Sequence, residues 1–231
     1  MRVQFGSTEI GVAFRRPNLG LALEILRQER AAAKAIRRMP KPVPWDWARP
    51  RLVPLLAGPR IDPEGESLVR TVEGLGIAVT FGIDLGAAIP LVDEPVAHRW
   101  ECSPEQIRDA AVANLRRWSA RLERTVVRTA TMSGYRIRLI DRRPGWASSI
   151  VLVPDELRRL FGDHDQVLAA PRRDTLLSFP PDIPGRVAGE IVVDFEMGAS
   201  DPLLLDPFGL EDGVLHWRGN EEDGDDDDGS W

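Results

Sequence analysis

The residues best suited to chemistry are two arginines and an aspartate, Arg172, Arg173 and Asp174, which stand together between two apolar runs. A guanidinium and a carboxylate this close can form a bidentate pair that fixes a turn. The same groups could instead bind an anionic partner, or the aspartate could act as a catalytic carboxylate. The residue types therefore predict a structural ion pair, with binding and catalysis as the open alternatives.

The motifs of the common nucleotide-binding, hydrolytic and metal sites are missing from this sequence. None of G-x-x-x-x-G-K-[ST], G-x-G-x-x-G, G-x-S-x-G and H-E-x-x-H occurs. The three histidines (His98, His164 and His216) are far apart, and Cys102 is the only cysteine. These counts exclude an intrachain disulfide and the common structural zinc sites. We therefore expect no metal and no cofactor, and the sequence leans against an enzyme.

A basic segment near the amino terminus is the second candidate. Apolar residues recur at three- and four-residue spacing, which predicts a helix over residues 19–38. Four of the basic side chains that cluster on its other side are Arg27, Arg30, Lys34 and Arg37. Such a helix can bind an acidic protein, a phosphate backbone or a membrane surface, or can simply be docked with a solvated face. The shortage of bulky apolar residues disfavours the membrane.

Two tryptophans follow in a proline-rich segment, residues 40–60. Five prolines between Pro40 and Pro54 predict an extended connector without regular helix. In an extended chain Trp45 and Trp47 point to the same side. They predict either packing against the domain or an exposed aromatic anchor for a partner or for single-stranded nucleic acid.

The clearest helix start lies at Ser103. Ser103 and Gln106 have the residue types of an N-cap and its capping box, which predicts a helix to about Leu122. Asn114 falls near the apolar face of this helix, so its amide needs hydrogen-bond partners, which we expect on the backbone. We expect Ser103 and Asn114 to be structural. A helix N-terminus can lower a thiol pKa, but no base lies beside Cys102 in sequence, so we do not expect a reactive cysteine.

The second half of the chain predicts several strands and a short helix. The strands are expected at residues 76–83, 133–143, 147–153, 167–170, 175–179 and 190–195, with short edges at 203–205 and 214–217. A helix opens at Pro154 and ends at Gly162. Because strands follow one another late in the chain, with helices early and between them, we predict an α+β fold: a mixed or mainly antiparallel sheet packed with a few helices.

Charge and composition divide the chain into three parts. The net charge is −6, and residues 221–228 contain seven carboxylates. We expect residues 1–60 to be a basic helix and connector packed on the domain, 61–219 to be the α+β domain, and 220–231 to be a disordered acidic tail. No apolar run approaches about 20 residues, and the amino terminus lacks a secretory apolar region. We therefore expect a cytoplasmic protein with no membrane contact.

One family resembles this chain over about residues 66–217. The run VLAAPRRDTLLSF, residues 167–179, is similar to the PsRDvL segment of the YtpQ-like bacterial family. Arg173 and Asp174 match its Arg-Asp, whereas Arg172 replaces a small residue. Two earlier segments also match the family in order and spacing. They are the strand and helix before this run, residues 147–161, and the AAVANL helix, residues 110–115. The resemblance implies a cytoplasmic bacterial α+β domain and carries no activity with it.

These features favour a non-enzymatic protein-interaction module whose partner is an unidentified protein. Nucleic-acid binding through residues 27–51 is an alternative, supported by the basic face and the two tryptophans and opposed by the acidic tail. A hydrolase or nucleotide-acting enzyme that uses Asp174 with Arg172 or Arg173 is the other alternative.

Overall fold

The computed structural model describes residues 19–58, 69–73, 77–141, 145–197, 199, 202–203, 205–212 and 214–217. The expected acidic tail lies outside these residues. The helices are α1 (Leu19–Arg37), α2 (Trp45–Ala48), α3 (Glu94–Arg99), α4 (Pro104–Ser119), α5 (Pro154–Phe161) and α6 (Gly185–Met197). The strands are β1 (Leu52–Leu56), β2 (Arg70–Glu73), β3 (Ile77–Ile83), β4 (Arg128–Met132), β5 (Tyr135–Asp141), β6 (Gln166–Arg172), β7 (Thr175–Phe179), β8 (Phe208–Glu211) and β9 (Val214–Trp217).

The strands form two antiparallel sheets, which confirms the α+β prediction. The first sheet has the order β1-β3-β2, and the second has the order β4-β5-β7-β6-β8-β9. One face of the second sheet packs against α6 through residues such as Ile137, Phe179 and Ile191. Its other face joins the larger core, where Ile140 and Leu176 lie with residues of the first sheet. The second sheet is therefore covered on both sides.

The predicted connector over residues 40–60 is wrong in part, because it contains a short helix, α2, and a buried strand, β1. Strand β1 pairs with β3, with Leu52 opposite Ile83 and Pro54 opposite Phe81. A proline lacks a backbone N–H and is tolerated where one side of a strand has no strand partner. Since β1 is an edge strand, Pro54 fits there. The segment before residue 60 thus belongs to the same sheet as the segment after it.

Three further strand predictions are wrong: residues 203 and 205 lie in no strand, and the other two segments are helical. Residues 190–195 lie in α6, where Ala188, Ile191 and Val192 recur at helical spacing and face the sheet. A short β-branched run does not by itself separate a strand from a buried helix. Residues 147–152 form a 3-10 helix, in which the backbone N–H of Ser148 donates to the carbonyl of Arg173 rather than to a neighbouring strand. Strands β2, β4 and β8 and helix α3 were not predicted.

Asn114 joins α4 to the segment that enters β1. Its buried side chain donates from Nδ2 to the carbonyl oxygens of Arg49, at 2.8 Å, and Leu52, at 2.9 Å. Its Oδ1 accepts a hydrogen bond of 2.7 Å from Arg117. The helix itself begins at the capping box of Ser103 and Gln106. One amide therefore satisfies two carbonyls at the edge of the first sheet.

Replacing this amide by an apolar side chain of similar size should weaken the fold. We expect Asn114→Leu to lower the free energy of unfolding by about 2–4 kcal/mol, because two carbonyl oxygens lose their donor. Urea denaturation measures this change. Arg116→Ala, on the exposed side of the same helix, is the control and should change the value by less than about 0.5 kcal/mol. Equal stability of the two variants would show that the hydrogen bonds do not hold this segment.

An ion pair holds β2 against α4. Nη2 of Arg108 lies 2.8 Å from Oε2 of Glu73, and Nε of Arg108 donates to Oε1 of the same carboxylate. These hydrogen bonds hold the pKa of Glu73 below its ordinary value, although burial opposes the shift. The carboxylate in turn raises the pKa of Arg108.

The pair should make stability depend on pH in the acid range. Because the pKa of Glu73 is lower in the folded than in the unfolded chain, acid favours unfolding, and the stabilisation is lost as the pH falls below about 4.5. Glu73→Gln should lose this part of the pH dependence, and Arg108→Gln should lose the same part. Urea denaturation between about pH 6 and pH 3 measures it. An unchanged slope in both variants would rule out the pair as its source.

Candidate interaction helix

Helix α1 presents nearly all of its described side chains to solvent. From residue 26 to residue 37, every side chain is exposed except those of Ala32 and Ala35, which are half-buried. The exposed fractions of Leu26 and Ile36 are 47% and 42%. Buried apolar clusters elsewhere in the described chain include neither residue. Helix α1 therefore has an amphipathic sequence but leaves its two large apolar residues in this region in contact with water.

The four basic residues of α1 form one stripe. Arg27, Arg30, Lys34 and Arg37 follow one another at spacings of three, four and three residues, so they lie on one side of the helix. All four are exposed. Within the part of the chain that the structure describes, none of them forms an ion pair. Among the described residues, this positive stripe therefore faces solvent.

The chain is fixed to the domain directly after α1. Met39 and Val43 pack against the larger core. The indole N–H of Trp100 donates to the carbonyl oxygen of Val43 at 2.8 Å. The anchored segment and the exposed helix are therefore neighbours in sequence but differ in their contacts.

Trp45 and Trp47 do not form a shared aromatic anchor, because the segment is helical at this point rather than extended. Two residues apart on a helix point to different sides. The ring of Trp45 lies 5.4 Å from the ring of Trp100, centroid to centroid. The guanidinium carbon of Arg51 lies 4.4 Å from the ring centroid of Trp47. Both tryptophans are half-buried and hold the segment on the domain.

The Arg-Asp segment forms the turn between β6 and β7. Arg172, the last residue of β6, places Nη2 2.8 Å from Oδ1 of Asp141 and Nε 3.4 Å from Oδ1 of Asp174. The carbonyl oxygen of Arg173 accepts hydrogen bonds from the N–H and the hydroxyl of Ser148. The side chains of this turn are half-buried. The geometry supports a structural role for the turn.

Asp141 is the residue of this cluster that the sequence analysis missed. Its Oδ1 accepts from Arg172 and from the hydroxyl of Thr175, and its Oδ2 accepts from Arg128 at 3.0 Å. The side chain is only 12% exposed. An acidic residue that ends a strand of alternating arginine and apolar residues is the signal that could have indicated it. The carboxylate lies between two guanidinium groups, which neutralise it.

Three further features of the described residues concern metal binding, the single thiol and membrane spanning. No cluster of three or more histidine, cysteine, aspartate or glutamate side chains among them is arranged to hold a metal ion. Burial raises the pKa of the Cys102 thiol, whose Sγ donates to the carbonyl oxygen of Trp100. In the described portion, no helix has both the length and the apolarity to cross a membrane.

Comparisons with known protein families, with curated proteins and with solved structures found no match to this chain. The resemblance to the YtpQ-like family therefore stays a prediction. The site is defined by its geometry alone.

Because of these ion pairs, replacing Asp141 should destabilise the protein more than replacing Asp174. Asp141→Ala should lower the free energy of unfolding by about 2–3 kcal/mol, because it leaves Arg172 half-buried without its nearest carboxylate. Asp174→Ala should cost less than about 1 kcal/mol, because that side chain is more exposed and farther from Arg172. Thermal and urea denaturation of both variants measure the difference. A larger loss in Asp174→Ala would show that the predicted Arg-Asp pair, rather than Asp141, fixes the turn.

Proposed function

We propose that this protein is a non-enzymatic interaction module that binds an acidic protein surface through α1. The observation that carries the proposal is the exposure of α1, which bears a basic stripe and two uncovered apolar residues, Leu26 and Ile36. The cytoplasm is the proposed compartment, supported by the single cysteine.

The dependence of helix stability on packing supports a partner for α1. Most helices in proteins are stabilised by packing an apolar face rather than by the helical propensity of their residues. Fully burying a leucine or isoleucine side chain contributes about 1.5–3 kcal/mol. A partner that covers Leu26 and Ile36 would therefore stabilise the helix as it binds.

Nucleic acid is the second candidate partner because the same stripe of four positive charges suits a phosphate backbone. Two observations favour a protein. Phosphate contacts make no use of Leu26 and Ile36, which lie uncovered on the same helix. Trp45 and Trp47, the residues that would stack on bases, instead pack on the domain.

Affinity capture from a native lysate tests the proposal. The full chain should retain a protein partner that resists nuclease treatment, and Arg30→Glu with Lys34→Glu should lose it because the stripe becomes acidic. Raising the salt concentration should weaken capture, since exposed charges are screened.

The matched control is Arg116→Glu with Arg121→Glu, which makes the same change of charge at exposed positions outside α1. This control should retain the partner. Loss of capture in both double variants would assign the effect to net charge rather than to α1. Capture that depends on nuclease-sensitive material would instead establish the nucleic-acid alternative.

A further inference from the structure

An open groove of about 430 Å³ runs between α6 and the turn that joins β4 to β5. Its lining includes Ser133 on the turn and Glu190 and Asp194 on the helix. An adjoining part of the groove, about 360 Å³, adds Met132 and Phe195. The groove therefore combines two carboxylates with an apolar floor.

The apolar surface of the groove continues along the exposed side of α6. Val193 is 48% exposed, and Met197 is 76% exposed. Glu190 pairs with Arg186, but both of these side chains are exposed, so water screens the pair. This face of α6 thus remains acidic and partly apolar.

The groove and α1 are complementary in charge and in spacing. Arg30 and Lys34 are four residues apart on α1, and Glu190 and Asp194 are four residues apart on α6. At 1.5 Å per residue, both pairs are separated by about 6 Å along the helix axis. Two helices lying side by side can therefore match both positive groups with both carboxylates.

The apolar residues provide a second match. Leu26 and Ile36 lie uncovered on α1, and Val193 and Met197 lie uncovered on α6. At about 3.6 residues per turn, Leu26 lies beside the Arg30–Lys34 pair, whereas Ile36 lies on the far side of α1. Placing one helix along the other through the charged pairs would therefore remove part of Leu26, Val193 and Met197 from water. Burial and charge pairing would then act together.

We propose that the groove of one copy of this protein receives α1 of a second copy. The proposal rests on the proposed function and names the acidic surface that α1 binds. Because each copy carries both elements, a two-fold dimer contains the contact twice, once in each direction. The described residues of one chain leave α1 exposed from residue 26 to residue 37 and leave the groove open, as a contact between copies requires.

The acidic segment of this chain, residues 221–228, is the competing occupant of α1. It carries seven carboxylates and so could pair with the basic stripe. It does not suit the groove, because Glu190 and Asp194 would repel it. The groove of a second copy and residues 221–228 are thus alternative partners of α1, and the experiment must distinguish between them.

Sedimentation velocity of the purified full chain, over a concentration series, tests the proposal. We expect a reversible dimer whose dissociation constant rises with salt. Arg30→Glu with Lys34→Glu, and separately Glu190→Lys with Asp194→Lys, should each weaken the dimer at least about tenfold, because each puts like charges in contact. The Arg116→Glu and Arg121→Glu control should dimerise as the wild type does.

Mixing the two charge-reversed chains gives the sharpest result. One contact then joins a reversed α1 to a reversed groove, and the other joins a native α1 to a native groove. Both contacts are attractive, so the equimolar mixture should form a dimer at concentrations at which each chain alone is largely monomeric. All four positions are exposed, and circular dichroism should show unchanged melting temperatures.

A chemical cross-link provides a second readout without any substitution. The chain has two lysines, Lys34 and Lys41. In a mixture of ¹⁵N-labelled and unlabelled wild-type chains, a carbodiimide should join Lys34 of one chain to Glu190 or Asp194 of the other. Cross-links from Lys41 alone, or links only within one chain, would contradict the proposed contact.

Several outcomes would overturn the proposal. The wild type and the mixture could remain monomeric, the dimer could survive both reversals, or deletion of residues 220–231 could abolish it. A monomeric protein that still captures a lysate partner through α1 would refute this inference and leave the proposed function intact. A dimer that forms as expected while no lysate partner is captured would establish the second copy as the partner.

Discussion

The hydrogen bonds of one buried amide determine how the amino-terminal part of this protein joins the rest. Nδ2 of Asn114 supplies donors to the carbonyls of Arg49 and Leu52 at the edge of the first sheet. Since β1 begins at Leu52, this amide positions the strand against α4 and lets its side chains enter the core. A donor that failed to reach these carbonyls would leave buried polar groups unsatisfied. The placement of β1 therefore depends on a side chain more than sixty residues away in sequence.

The positively charged side chains of the domain and those of α1 differ in whether they have a carboxylate partner. Arg108 and Arg172 lie on the domain and have carboxylates at hydrogen-bond distance, so their charges hold elements together. Arg30 and Lys34 lie on α1 and have no ion-pair partner in the described part of the chain. Paired charges in partly buried places fix a structure, whereas exposed unpaired charges attract ligands of opposite sign. The distribution of partners, rather than the number of arginines, thus supports the proposal that α1 is the interaction surface.

Some features with local causes were predictable from the sequence, whereas several features that depend on distant residues were not. The capping box at Ser103 and the end of α5 at Gly162 depend on neighbouring residues, and the structure contains both. Strand β1 was missed because Pro54 is acceptable only at a sheet edge, which sequence does not reveal. Asp141 was missed because its partner Arg172 comes from another strand. The exposure of α1 was equally hidden, since an amphipathic pattern predicts burial of the apolar face.

The coexistence of a basic helix and an acidic groove in one chain constrains how the protein can associate. Complementary patches on one molecule favour self-association, and a two-fold arrangement satisfies both patches in a closed pair rather than an open fibre. The acidic residues 221–228 have the same sign as Glu190 and Asp194. They can therefore compete for α1 but cannot replace it in the groove. A competitor of this kind lowers affinity without changing the geometry of the contact, because it reduces only the fraction of α1 that is free to bind. In the proposed dimer, the strength of association would depend on the ionic conditions, while its register would follow from the four-residue spacing on the two helices.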